Sequence, residues 1–332
     1  MVSNQVFSGG CAGKCSSDLV EEVIEICHSY GHKIEWGDCN TIPSVGGELI
    51  QSVDIINQIV PDPRAFGKIA AAHSCSDIYV AGGEPFVCNM ILGVPRENSR
   101  SIVMESVRGA AEFMANNGVQ IRGGHTIYSA SLQMGFSVIG KRSDLPLKQP
   151  LCDGDVLILT KKIGTGLMAN SLHSGEEINA VVDELYDVLI ESNSVGALLC
   201  KQQGVKVMTD ITGFGLAFGI RQLCNSQGVS ATVWLENIPV FTDWERYAIE
   251  GYYPSLAYKN KKNLCFEKDN NIAEWRELLV YDPQTNGSIL SIVSPDSIPE
   301  LTKILKENAS QLYVIGEIGG DSFQLKMSEN DE

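Results

Sequence analysis

Val205-Lys206-Val207-Met208-Thr209-Asp210-Ile211-Thr212-Gly213-Phe214-Gly215 is the stretch on which the architecture turns. It begins with β-branched and apolar residues in the manner of a strand, reaches an aspartate, and passes through glycines into residues 216–226, whose apolar spacing is helical. An aspartate that closes a strand, followed by glycines and a helix N-terminus, puts a carboxylate beside backbone amides that favour anions. Asp210 therefore belongs among candidate ligands for a polyphosphate held through a divalent cation.

Working outward, the same alternation recurs on both sides. Strands are predicted at residues 48–56, 86–92, 119–122, 133–139, 156–159, 230–234, 288–292 and 312–315. Helices are predicted at residues 18–30, 65–81, 98–117 and 178–203. Short connections between alternating strands and helices indicate an α/β (α+β) architecture. The polar stretch 141–155, with Pro146, Pro150 and Gly154, divides the chain. The expected organisation is a glycine-rich segment with a short helix over 1–34, a first domain over 35–145 and a second α/β domain over 146–328. A chain of 332 residues accommodates two cores.

Bulk properties narrow the function. The formal net charge of −16 repels nucleic acid and acidic lipid, and no basic run reverses it locally. No apolar stretch is long enough to span a bilayer, and the start MVSNQVFSGG lacks a signal-peptide pattern, so a cytoplasmic location is expected. Ten cysteines in such a chain point to reduced thiols. Cys27, Cys39, Cys75, Cys88, Cys152, Cys200, Cys224 and Cys265 stand apart and read as small buried residues. Cys11 and Cys15 lie together in Gly9-Gly10-Cys11-Ala12-Gly13-Lys14-Cys15, where Lys14 and a following helix favour a thiolate at Cys11. No second ligand pair completes a zinc site there.

Three further aspartates stand at candidate positions: Asp38 after Gly37, Asp54 closing a strand, and Asp77 within the small-residue helix. Each taken alone also fits a cap or turn. His73 and Asp77, four apart, share a helix face. Gly123-Gly124-His125-Thr126 after a strand offers backbone amides and a hydroxyl to phosphate or ribose, though many tight turns look alike. Gly164-Thr165-Gly166 reads equally as a plain helix start, and there is no Walker A run or dinucleotide fingerprint.

Taken in order, these segments resemble the selenophosphate synthetase (selenide, water dikinase) family from Gly9 to Ile318. The matching blocks are Cys11-Ala12-Gly13-Lys14, Asp54 with Val60-Pro61-Asp62-Pro63 and Gly67-Lys68-Ile69-Ala70, Ser76-Asp77 with Gly82, Gly123–Thr126, Thr209–Gly215, and Asp282-Pro283-Gln284-Thr285. The resemblance implies a two-domain aminoimidazole ribonucleotide synthetase-like fold, a homodimer, and conversion of ATP, selenide and water to selenophosphate, phosphate and AMP. By the same resemblance Asp38, Asp77 and Asp210 hold Mg²⁺. It further implies that Lys14, Gly37, Asp54, Asp77, Gly124, His125 and Thr126 contact nucleotide, and that Cys11 and Lys14 are catalytic. It leaves open a need for K⁺, a selenium-delivery partner and the role of Cys15.

The chain departs from the family pattern at several places. His73 stands where asparagine is expected, Asn286-Gly287-Ser288 replaces serine-glycine-glycine, Cys39 replaces a second aspartate, and residues 253–260 lack a double glycine. Two rival functions share the fold: an ATP-dependent kinase or synthetase related to thiamine-monophosphate kinase or aminoimidazole ribonucleotide synthetase, the kinases yielding ADP, and a non-catalytic dimeric nucleotide-binding paralogue.

Overall fold

The computed structural model describes residues 40–44, 47–95, 100–142, 149–175, 179–264 and 266–328. The predicted helix at 18–30 and the candidates Cys11, Lys14, Cys15, Gly37 and Asp38 lie outside them.

Two sheets organise the described residues. The first has five strands in the order β1-β2-β5-β3-β4, formed by Asn40–Ser44, Gly47–Asn57, Gln133–Arg142, Gly83–Val94 and Gln120–Tyr128. Only the β3/β4 pair is parallel; the other neighbours are antiparallel. The second has seven strands in the order β7-β10-β6-β11-β8-β12-β9. They comprise Val205–Asp210, Ile289–Val293, Val156–Leu159, Tyr313–Ile318, Ala231–Trp234, Gln324–Lys326 and Glu267–Lys268.

Helices of two turns or more are α1 (Pro63–Val80), α2 (Arg100–Asn116), α3 (Thr165–His173), α4 (Asn179–Ile190), α5 (Gly215–Asn225), α6 (Ser255–Asn263) and α7 (Ile298–Glu307). The start of α1 follows from local chemistry. Asp62 caps it, its Oδ1 accepting the Arg64 N–H at 2.8 Å and the Ala65 N–H at 3.2 Å, while Pro63 occupies the first turn where no N–H is needed. The helix then packs against β2, β3, β5, α2 and β7, so it touches both sheets.

Such crowding explains its small residues. A Cβ on Gly67 would lie 1.8 Å from the Ser106 carbonyl oxygen, and one on Gly109 would lie 2.0 Å from that of Arg64. The two glycines let α1 and α2 approach backbone to backbone. One continuous apolar core runs from Ile50 and Phe136 on the first sheet, through Phe66 on α1, to Leu157 and Leu290 on the second sheet and Ile220 on α5. Its fully buried side chains contribute about 1.5–3 kcal/mol each.

Three expectations need correction. Asp54 does not close its strand, because β2 continues to Asn57. Gly123–Thr126 lies inside β4, in parallel register with Asn89–Leu92, instead of in a loop after a strand. The predicted helix over 178–203 breaks after Ile190 into a 3₁₀ turn at Asn193–Val195 and a single turn at Gly196–Leu199. The break has a polar cause: Ser192 Oγ caps the 3₁₀ turn, and the Asn193 amide donates to Ser76 Oγ at 2.8 Å and to the Gly287 carbonyl at 3.0 Å.

Candidate functional site

β2 and α1 bring the first pair of carboxylates together. In a strand, alternate residues share a face, about 6.6 Å apart; residues four apart on a helix are spaced by about 6 Å. Ser52 and Asp54 on β2 therefore match Asp77 and His73 on α1. The Ser52 hydroxyl donates to Asp77 Oδ2, and His73 Nε2 faces Asp54 Oδ1 at 3.8 Å. Asp54 retains 13% exposure, whereas His73 is 1% exposed.

The second sheet supplies the opposing group. Asp210 is the last residue of β7 and is 7% exposed. It pairs with Ile289 of β10, just after the turn Asn286-Gly287-Ser288. Ser288 knits the ends of three strands together. Its Oγ accepts the N–H groups of Thr160 at 2.8 Å and Lys161 at 3.0 Å, while its carbonyl accepts the Ile211 N–H at 2.9 Å.

Lys161 follows β6 as a charge among apolar residues and is 3% exposed. Its Nζ donates to the Glu191 carbonyl at 2.7 Å and the Asn286 carbonyl at 3.3 Å. Burial pushes its ammonium down to about 8, against the opposing pull of the Glu191 and Asp210 charges. Asn286 adopts the left-handed φ of 46°, which asparagine tolerates. Its amide donates to the Leu189 and Glu191 carbonyls, each at 2.8 Å, and its backbone N–H donates to His73 Nδ1 at 3.2 Å. Through this turn the α1 face bearing His73 and Asp77 is joined to the strand end bearing Asp210.

The glycine-rich motifs divide. Gly164-Thr165-Gly166 begins α3, but its amides are already taken. Asp282 Oδ2 accepts the Gly166 and Leu167 N–H groups at 3.0 and 3.2 Å, and Gln284 Oε1 accepts those of Gly164 and Thr165 at 3.0 and 3.1 Å. The motif is thus a helix start capped by Asp282-Pro283-Gln284. Gly215 has φ 81°, and a Cβ there would meet the Tyr281 backbone at 2.9 Å. Asn260 pins the preceding turn by donating to the Gly213 and Tyr281 carbonyls, both at 3.0 Å. On β4, a Cβ at Gly124 would lie 2.1 Å from the Met90 carbonyl oxygen, and His125 is exposed. The side chain of Thr126 lies outside the described residues.

Cys75, Cys88, Cys200 and Cys224 are buried as expected, whereas Cys152 is exposed. Cys27, Cys39 and Cys265 lie outside the described residues. Burial pushes the Cys88 thiol up to about 11 and that of Cys224 up to about 12, which leaves them poor nucleophiles.

Among the described residues, no three His, Cys, Asp or Glu side chains form a metal-binding group. Asp77 and Asp210 nevertheless offer hard oxygen donors. The side-chain carbonyls of Asn193 and Asn286, both fully buried, find no hydrogen-bond partner among the described residues. Carboxylate and amide oxygens are the donor set that a divalent cation such as Mg²⁺ takes, and the residues present fit it.

Sequence reasoning missed Lys161, Asn193, Asn286 and Ser288 as parts of the site. The available signals were a lysine placed between Leu159 and Ile163, and polar residues immediately before an apolar strand.

The family model for the AIR synthase related protein N-terminal domain matches residues 17–141, and that for the C-terminal domain matches 153–327. The selenide, water dikinase of Sulfurovum sp. (strain NBC37-1) is 30% identical over 319 residues, 93% of each chain. That of Enterobacter sp. (strain 638) is 33% identical over 285 residues, covering 82% of this chain and 79% of its own. Two solved structures share the fold. Thiamine monophosphate kinase from Aquifex aeolicus has a TM-score of 0.68 at 14% identity, covering 95% of this chain and 99% of its own. The hydrogenase maturation protein HypE in complex with ATP has a TM-score of 0.64 at 16% identity, covering 92% and 87%. With both AIR synthase related domains present and dikinase relatives matching most of its length, the chain belongs to the selenide, water dikinase family.

Proposed function

We propose that this protein is a selenophosphate synthetase, converting ATP, selenide and water to selenophosphate, phosphate and AMP. The observation that carries the reading is the correspondence with the Sulfurovum dikinase over 93% of both chains. The arrangement of Asp54, Asp77 and Asp210 on packed elements of the two sheets supports it.

In this reading Asp77 and Asp210, together with Asp38, would hold Mg²⁺, which would supply positive charge to offset that of the triphosphate. Asp54, Lys14, Gly37 and the β4 residues Gly124, His125 and Thr126 orient the nucleotide. Phosphoryl transfer needs chiefly such positioning and charge compensation. Cys11 presents selenide in line with the γ-phosphoryl group; the Se–P bond forms as the bond from phosphorus to the β,γ-bridging oxygen breaks. Water then cleaves ADP to AMP and phosphate before release.

Val53 and Ile55 of β2 are 57% and 48% exposed. They point away from α1, and this exposed apolar pair is the surface that a homodimer would bury. The acidic chain is proposed to act in the cytoplasm, without nucleic acid or membrane partners, with K⁺ and a selenium-delivery protein as further candidates.

Anaerobic incubation with ATP, followed by separation of the nucleotides, tests the reaction. AMP that accumulates only when selenide is present supports it. ADP as the end product moves the assignment to a kinase of the same fold, and no turnover moves it to a nucleotide-binding paralogue.

A further inference from the structure

His73 and Asn286, two positions at which this chain departs from its family pattern, touch each other. The Asn286 N–H donates to His73 Nδ1 at 3.2 Å across 213 residues of sequence. A ring nitrogen that accepts carries no proton, so in neutral imidazole the proton sits on Nε2. That nitrogen faces Asp54 Oδ1 at 3.8 Å, slightly beyond hydrogen-bond length. One buried ring thus has an acceptor turned to the second sheet and a donor turned to the first.

The turn it grips is held at several other points as well. The Asn286 side-chain amide donates to the Leu189 and Glu191 carbonyls, its backbone carbonyl accepts from Lys161, and Ser288 beyond it ties β6 to β7 beside Asp210. Imidazole reaches both neighbours because its nitrogens lie on opposite sides of a rigid ring. The shorter side chain of asparagine can serve one of them only.

We infer that His73 is a positioning residue, orienting the Asp54 carboxylate through Nε2–H while Nδ1 locks the Asn286 turn, and so setting Asp54 and Asp210 relative to each other. The inference deepens the nucleotide-binding reading given above and rests on it for the role of Asp54.

Two measurements on the full chain test it. In long-range ¹H–¹⁵N spectra of the histidine-labelled protein, the resonances lost in His73→Asn are expected to report a bare Nδ1 and a protonated Nε2; a protonated Nδ1 overturns the proposal. In calorimetric ATP titrations, His73→Asn is expected to weaken binding on the order of threefold to tenfold. Its Asn286 amide should keep its protection from exchange, since the new side chain still offers an acceptor. Asp54→Asn should weaken binding as well, and the double variant should be no weaker than Asp54→Asn alone. Unchanged affinity in His73→Asn, or additive losses in the double variant, contradicts the role. A wild-type chain that binds no ATP defeats the nucleotide reading itself, and the tautomer then decides the His73–Asn286 link alone.

Discussion

Ser288 occupies a fully buried place, and its single hydroxyl oxygen receives two backbone N–H groups from the end of β6. Removing that oxygen leaves both donors without an acceptor in the apolar interior, so Ser288→Ala is expected to destabilise the fold by about 2–4 kcal/mol. Chemical denaturation measures this, and a loss near zero contradicts the assignment. Asp282 gives a prediction in pH. Burial raises its carboxyl from 3.8 to about 7 despite the N–H groups that bind its oxygen. The folded chain then keeps a proton that the unfolded chain releases. The associated stabilisation is complete below the ordinary carboxylate range and is lost as pH rises through about 7. Asp282→Asn retains an acceptor and is expected to flatten the decline of Tm across that window. Asp210 was legible from sequence because a strand, an aspartate and glycines are contiguous there. Ser288, Asn286 and Lys161 were harder to place, because the contacts that draw them into the site, Ser288 with Thr160, Lys161 with Asn286 and Asn286 with Glu191, each span more than 90 residues of sequence.

The packing of α1 on α2 depends on two glycines whose neighbours are carbonyl oxygens. Gly67→Ala would place a methyl carbon 1.8 Å from the Ser106 oxygen. Because backbone cannot step aside as a flexible side chain can, a cost of about 2–3 kcal/mol or more is expected, read as a fall in Tm. Helix α1 itself was readable from Pro61-Asp62-Pro63 and the small residues after it, and its observed start lies two residues before the expected one. The Gly123–Thr126 stretch misled because Gly-Gly normally marks a turn. Here the missing Cβ at Gly124 serves close strand pairing against Met90. The helix expected over 178–203 was a similar case: periodicity continued, but Ser192 and Asn193 found polar partners that a regular helix would deny them. On β2, Val53 and Ile55 form the outward row. Val53→Lys with Ile55→Lys is expected to turn a dimer into a monomer in light scattering, while a monomeric wild-type chain would contradict the proposed pairing.

For the molecule as a whole, the α/β class and the AIR synthase related architecture followed from alternation and from the order of the motifs. The way the two halves meet did not, because it depends on α1 packing against both sheets and on a turn that no periodicity announces. In the proposed function the carboxylates would handle nucleotide and Cys11 would handle selenium, so Cys11→Ser is expected to bind ATP as tightly as the wild type in calorimetry yet to lose selenide-dependent AMP formation. Full selenophosphate output from that variant would remove the thiol from the mechanism. The central claim is that acidic side chains from the two sheets serve one nucleotide. A crystal structure with a non-hydrolysable ATP analogue and Mg²⁺ tests it most directly. The account predicts that Asp77 and Asp210 both reach cations bridging the phosphates, with Asp54 beside the same nucleotide; an analogue bound with either Asp77 or Asp210 remote from ion and phosphate would contradict it.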